Sequence, residues 1–147
     1  MDGEGWDTAV AVLRLATQLI DGVQQGVTNR GFDDVRPAHG FAFVRISTGD
    51  ATTADLAIHL GITKQATAQL VDYLVIHGYV ERRPDPRDAR ARLLVLTNRG
   101  RACTAAAVAA AAETVGLWKD RLSPSDYNHL QTALAALSEP GRLRPTW

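Results

Sequence analysis

Between Thr52 and Leu96 the chain changes its hydrophobic period, from that of short helices to that of a strand pair. This is the feature that most restricts its fold. Thr52 and Asp55 are spaced as a capping box, in which hydroxyl and carboxylate each satisfy an amide at a helix start. Thr52 or Thr53 thus caps a short helix through Leu60, with Leu56, Ala57 and Leu60 as its apolar face. Gly61-Ile62 reads as a tight turn. Thr63 is a natural N-cap for a second helix to about His77, and Gly78 is its terminator. In that helix Thr67, Leu70, Val71 and Leu74 stand at i, i+3, i+4 and i+7 and share one face. Lys64, Gln65, Ala68 and Gln69 point away from it, near the N-terminus. Tyr79 to Arg83 then reads as a short strand, and Pro84-Asp85-Pro86-Arg87-Asp88 as turn chemistry. Leu93 and Val95 alternate with Arg92 and Leu94 in a returning strand. Two short helices joined by a glycine turn and followed by a hairpin describe a winged helix-turn-helix.

The flanks are helical. From Asp7 to about Val27, Val10, Leu13, Ala16, Ile20, Val23 and Val27 recur at helical spacing, and Val12, Leu15 and Leu19 widen the apolar surface. A helix apolar over more than one stripe needs burial on more than one side. It is either a central core helix or one shared with a second subunit. Asn29-Arg30-Gly31 ends it. Pro37 opens the next helix, where its missing N–H costs nothing. Phe41, Val44 and Ile46 make that helix partly buried, up to the turn cluster Ser47-Thr48-Gly49-Asp50. Beyond the hairpin, Thr97 caps a long helix from Asn98 to about Lys119. From Ala105 to Ala112 it is alanine except for Val108, with so little bulk that neighbours can approach closely. Ser123-Pro124-Ser125-Asp126 starts a last helix with a cap, a first-turn proline and a capping-box carboxylate. Leu130, Leu134 and Leu137 are its stripe, and Pro140 ends it before a loose tail, GRLRPTW. The expected fold is mainly α with a small β-hairpin wing. Its regions are 1–34, an N-terminal helix; 35–97, the winged helix-turn-helix; and 98–147, the C-terminal helices and tail.

Charge sharpens the functional reading. Sixteen Lys and Arg balance sixteen Asp and Glu, a net charge of zero. That excludes a uniformly basic polyanion binder but not a local patch, because binding depends on charge distribution. From Glu81 to Arg101 there are seven arginines (Arg82, Arg83, Arg87, Arg90, Arg92, Arg99 and Arg101) against Glu81, Asp85 and Asp88. Arginine's planar, always-charged fork suits phosphate and narrow minor grooves. Asp88, two residues before Arg90, is placed to orient its guanidinium. The second helix of such a unit reads base edges in the major groove with its N-terminal residues. There Gln65 and Gln69 suit adenine, and Lys64 suits phosphate or guanine; the helix N-terminus also offers amides to a phosphate. The plainer alternatives are a solvated hairpin with local ion pairs and an ordinary amphipathic helix.

Other classes fall away. A lone cysteine, Cys103, allows no internal disulfide and no cysteine-built zinc site, and fits a reducing cytosol. No apolar run approaches the roughly 18 residues of a membrane span. The acidic opening MDGEGWDTAV lacks the positive charge of a signal peptide, so a soluble cytoplasmic protein is expected. His39, His59, His77 and His129 lack metal-ligand spacing, and neither metal nor cofactor is expected. There is no glycine-rich phosphate loop or nucleophile elbow. Asp33-Asp34 stand adjacent in a turn, where their side chains diverge, so an enzyme is not expected.

The segment TADLAIHLGITKQATAQLVDYLVIHGYVERRPDPRDARARLLVLTNRG, Thr53 to Gly100, resembles the MarR-type transcriptional regulators. Its wing, DPRDARARLLVLT, looks like their signature of Asp-Pro, then Asp-x-Arg, then a hydrophobic strand ending in Leu-Thr. The resemblance implies a homodimer held by the first helix and the last two. Each subunit would present one winged helix to a palindromic double-stranded DNA operator. It places Arg90 in the minor groove and Lys64, Gln65, Ala68 and Gln69 on the major groove. Thr53, Thr63, Arg82, Arg87, Asp88 and Arg92 complete the expected DNA-contact set. The sequence departs from the family at Ala89, where a second wing-tip arginine is frequent, and at Gln69, where a basic residue is frequent. Many relatives are repressors released by small phenolic or aromatic effectors bound between the dimer helices and the winged domain; here Arg14, His39 and Phe43 would border that cleft. Two other readings stand beside this one. One is a winged-helix adaptor that binds only protein. The other is a thiol sensor using Cys103, near Arg99 and Arg101, against the plain reading of Cys103 as a small buried residue.

Overall fold

The computed structural model describes residues 3–141, so the tail from Arg142 onward lies outside it. In chain order the elements are α1 (Gly3–Asn29), α2 (Pro37–Ser47), α3 (Thr53–Leu60), α4 (Lys64–Ile76), β1 (Val80–Asp85), β2 (Asp88–Leu96), α5 (Asn98–Arg121) and α6 (Pro124–Leu137). The mainly α fold with a hairpin wing is as the sequence pattern requires. Contacts divide it into two compact units, one of residues 3–33 with 106–139, the other centred on residues 34–105. Among the described residues no helix is long and apolar enough to cross a membrane.

The second unit carries most of the buried core. Its helices start where local chemistry dictates. The Thr52 hydroxyl accepts the Asp55 amide at 3.1 Å, and the Asp55 carboxylate accepts the Thr52 amide at 2.9 Å. Thr52, not Thr53, is therefore the cap of α3. Gly61 takes the left-handed conformation, φ +68°, that ends α3 and turns the chain into α4. Leu56, Ala57, Leu60, Val71 and Leu74 pack beneath these helices with Tyr79, Val80 and Leu94. Thr67 is also fully buried, and its hydroxyl donates to the Thr63 carbonyl at 2.8 Å, so no polar group is stranded.

Strands β1 and β2 pair antiparallel from Val80↔Leu96 to Pro84↔Arg92. They run further than the alternation suggests, leaving only Pro86-Arg87 as the turn. Pro84 is tolerated because β1 is an edge strand, where a missing N–H interrupts no second ladder. Ala51 adds one bridge to β2, accepting the Leu94 amide at 2.7 Å. In α2 the buried residues are Ala42, Phe43 and Ile46, whereas Val44 is 39% exposed. Ile46 is buried and Phe41 half-buried as expected, and only Val44 turns outward. α2 packs against both α3 and β2, and that double contact rotates its inward stripe.

In the first unit α1 crosses α5 through small residues. A Cβ added at Gly26 would lie 2.4 Å from that of Ala110, and one at Gly22 would lie 2.5 Å from the Thr114 hydroxyl. Arg30 closes this crossing with an ion pair to Glu113 at 2.5 Å and a bond to the Gly26 carbonyl at 2.9 Å. Among its described residues only Val27, Ala106 and Ala110 are buried, and α6 buries none. Leu13, Leu117 and Leu137 are 66, 63 and 81% exposed, and Trp6 and Val12 are exposed as well. α5 and α6 also leave an open apolar groove of about 300 Å³ between Trp118, Tyr127 and Leu134.

Candidate nucleic-acid interface

The outer face of α4 follows from its inner one. With Thr67, Val71 and Leu74 turned into the core, Lys64, Gln65 and Gln69 are exposed and Ala68 half-buried. Thr63 caps the helix by accepting the Ala66 amide at 3.1 Å. Thr53 is the half-buried first residue of α3. Asp72, one turn beyond Gln69 on the same face, forms an ion pair with Arg82 of β1. That pair joins helix to wing. Sequence reasoning passed over Asp72, although its spacing from Gln65 and Gln69 puts it on their stripe.

The wing is held by carboxylates. Asp85 accepts the Arg87 amide at 2.9 Å and its Nε at 3.4 Å, while Asp50 lies 3.5 Å from the Arg87 guanidinium. Arg83 pairs with Glu81. The ladder slips between Pro84 and Asp85, so no β1 residue stands opposite Ala89, Arg90 or Ala91. There Asp88 accepts the Arg90 backbone amide at 3.0 Å. This corrects the expected role of Asp88: it fixes the backbone at the tip rather than the guanidinium. The Arg90 side chain is exposed and has no partner among the described residues. Arg92 donates only to its neighbour's carbonyl, at 3.3 Å. Exposed ion pairs are worth about 0–1 kcal/mol, so Arg82, Arg83 and Arg87 can exchange their carboxylates for phosphates at little cost.

Two of the seven arginines serve the fold. Arg101 donates to the Leu96 carbonyl at 2.6 Å and pairs with Asn98. Arg99 lies over the ring of Tyr79, 4.5 Å from its centroid, and donates to the Tyr79 hydroxyl at 2.9 Å and to Asp34 at 3.3 Å. The buried Tyr79 donates in turn to Asp34. Burial pushes the Asp34 carboxyl up, but the Tyr79 hydroxyl, its own backbone amide and the Arg99 charge outweigh that and hold it below its ordinary value. Burial beside that carboxylate pushes the Tyr79 phenol up. Residues 34, 79 and 99 are too far apart in the chain for any spacing to reveal this cluster.

The three expected effector residues are divided between the two units. Phe43 is 2% exposed and packs against the Tyr79 ring, with centroids 5.7 Å apart, as a core residue. His39 stacks on Tyr73 at 4.8 Å, and its Nδ1 accepts the Arg36 amide at 2.9 Å, so it closes the start of α2. Arg14 is exposed on α1, in the other unit. Cys103 is 2% exposed. Burial first, and Asp34 second, push its thiol up to about 11 against the pull of Arg99. At neutral pH it is a thiol and not the reactive thiolate, so the redox reading loses its chemistry. Among the described residues no group of three His, Cys, Asp or Glu could hold a metal ion.

Capped helices, a left-handed glycine turn and an arginine-edged hairpin define a winged helix-turn-helix protein. Residues 36–91 match the sequence model of the MarR family. The fold is similar to that of RV1404 from Mycobacterium tuberculosis, with TM-score 0.79, 24% identity, and 96% of this chain and 94% of that one covered. It is similar to apo MarR from E. coli, with TM-score 0.73, 20% identity and coverage of 89% and 96%. It is also similar to a MepR mutant from S. aureus bound to an oligodeoxyribonucleotide, with TM-score 0.66, 17% identity and coverage of 88% and 94%. No curated protein matches the sequence. The match to the MarR family model is thus confined to the winged-helix segment, and the chain as a whole shares the fold of these structures.

Proposed function

We propose that this chain is a sequence-specific DNA-binding regulator of the MarR type, acting in the cytoplasm as a homodimeric repressor on a palindromic operator. The observation that carries the reading is one unit that presents a wing-tip arginine, Arg90, with no partner among the described residues, together with an outer helix face of exposed Lys64, Gln65 and Gln69 and half-buried Ala68. Arg90 enters the minor groove, its backbone set by Asp88. Lys64, Arg82, Arg87 and Arg92 contact phosphate, and Thr53 and Thr63 offer further hydroxyls. Phosphate contacts fix the register and base contacts supply the sequence. The second copy is supported by the large apolar residues that the first unit leaves exposed on α1, α5 and α6. Two winged helices in a dimer would stand roughly 34 Å apart, one DNA turn. Release by a small phenolic or aromatic ligand is carried by family likeness alone.

The test is fluorescence anisotropy on DNA adjoining the protein's own gene, across a salt series. Affinity should fall steeply as salt rises. Arg90→Ala should weaken binding by about tenfold or more with the circular dichroism unchanged, because the side chain touches no core residue. Salt-independent binding, or an Arg90→Ala variant with full affinity, would overturn the reading.

A further inference from the structure

We infer that the half-site read by α4 carries two A·T base pairs about two steps apart, with adenines bound by Gln65 and Gln69 and a thymine methyl seated against Ala68. This rests on the DNA-binding reading above and specifies what that face selects. From Lys64 to Ile76 there is no arginine, so the helix lacks the bidentate fork that most often selects guanine. Its only cation, Lys64, stands at the first helical position and behaves as a compact point charge suited to a phosphate. Asp72, whose carboxylate could accept from cytosine, is the ninth residue of α4, beside Arg82 of the wing and beyond the N-terminal part of the helix that meets base edges. That leaves two long polar side chains on the outer face, Gln65 and Gln69. Both are exposed, and neither has a hydrogen-bond partner among the described residues.

A glutamine amide donates and accepts from one plane, matching adenine N7 and N6. Residues i and i+4 are separated by about 6 Å along a helix. Base pairs rise about 3.4 Å each, so the two amides meet pairs about two steps apart. Ala68 lies between them with only a methyl to offer, and thymine's methyl is the base group that an alanine can contact favourably. Where the face carries a glutamine at 69 in place of a longer cation, selectivity shifts from charge to hydrogen-bond pattern.

The experiment is selection of bound sequences from a random double-stranded pool, with the full-length protein and with Gln65→Ala and Gln69→Arg. The parent should enrich sites holding A·T at two positions of each half-site. Gln69→Arg should convert one of them to G·C, a change in preference of about tenfold or more, and Gln65→Ala should relax the other. Both positions are exposed, so the variants should keep the parent's circular dichroism. An enriched motif that has G·C at both positions, or that Gln69→Arg leaves unchanged, would overturn the inference while leaving DNA binding in place. A pool with no enriched sequence would overturn both readings together.

Discussion

His39 is the third residue of α2, and a lone pair on its Nδ1 closes the helix start by accepting the Arg36 amide. That bond requires the neutral ring, with its proton on Nε2. Burial disfavours the imidazolium first, and the charge of Arg36 adds to it; Asp34 opposes, and His77, on the far side of the stacked Tyr73 ring, disfavours it again. The folded-state value lies below the ordinary 6.5. The unfolded chain therefore takes up a proton first, so stability is complete above about 6.5 and is lost as pH falls below it towards the folded value. Asp34 and Asp55 are also lowered, Asp34 against its burial and Asp55 mainly through the Thr52 amide and hydroxyl, and their contribution is lost only below about 3.8. Urea melts at pH 7.5 and 5.5 should show a loss of stability that His39→Gln removes, because a glutamine oxygen can still accept the Arg36 amide. An equal loss in the variant would show that the cap is not its source. None of this was legible beforehand. Helical spacing does not show that Phe43 faces the core or that His39 stacks on Tyr73; only packing does.

At the scale of elements, one junction decides how α4, the wing and α5 fit together. The Thr97 hydroxyl accepts the Gly100 amide at 3.1 Å and donates to the Gly78 carbonyl at 2.5 Å. A Cβ at Gly100 would fall 2.2 Å from the Tyr79 carbonyl oxygen. In an open helix, glycine to alanine stabilises by about 1 kcal/mol. Here the obstacle is backbone that cannot swing aside, and overpacking of this kind costs about 1–3 kcal/mol. Gly100→Ala should therefore destabilise the protein, read as a lower denaturation midpoint at unchanged slope. A stabilised variant would mean that the junction yields. The elements themselves were largely legible. Thr52 with Asp55, Thr63, Thr97 and Ser123 all cap as their local spacing indicates. The inward stripe of α2 was not, because a short helix with apolar residues all round carries no internal reason to prefer one face.

For the whole molecule, the first unit is the question. It leaves Leu13, Leu117, Leu137 and Trp6 exposed, and the proposed second copy would cover them. Light scattering should give a mass near twice 15.9 kDa, and a stable monomer would remove the basis for reading a palindrome. The zero net charge takes its meaning at this scale too. Three of the wing's five arginines are paired with Asp72, Glu81, Asp85 and Asp50, leaving Arg90 and Arg92 without a carboxylate partner among the described residues. By itself the sequence determined the caps, the change of period, the winged helix-turn-helix and the likeness to the MarR family in that segment, since each rests on residues a few positions apart whose chemistry acts locally. Tertiary structure alone decided that Arg82, Arg87 and Arg99 are engaged, that Cys103 is shut away and that Asp34, Tyr79 and Arg99 meet. Those outcomes depend on groups brought together from distant parts of the chain, and burial and charge take effect only once the fold has closed around them.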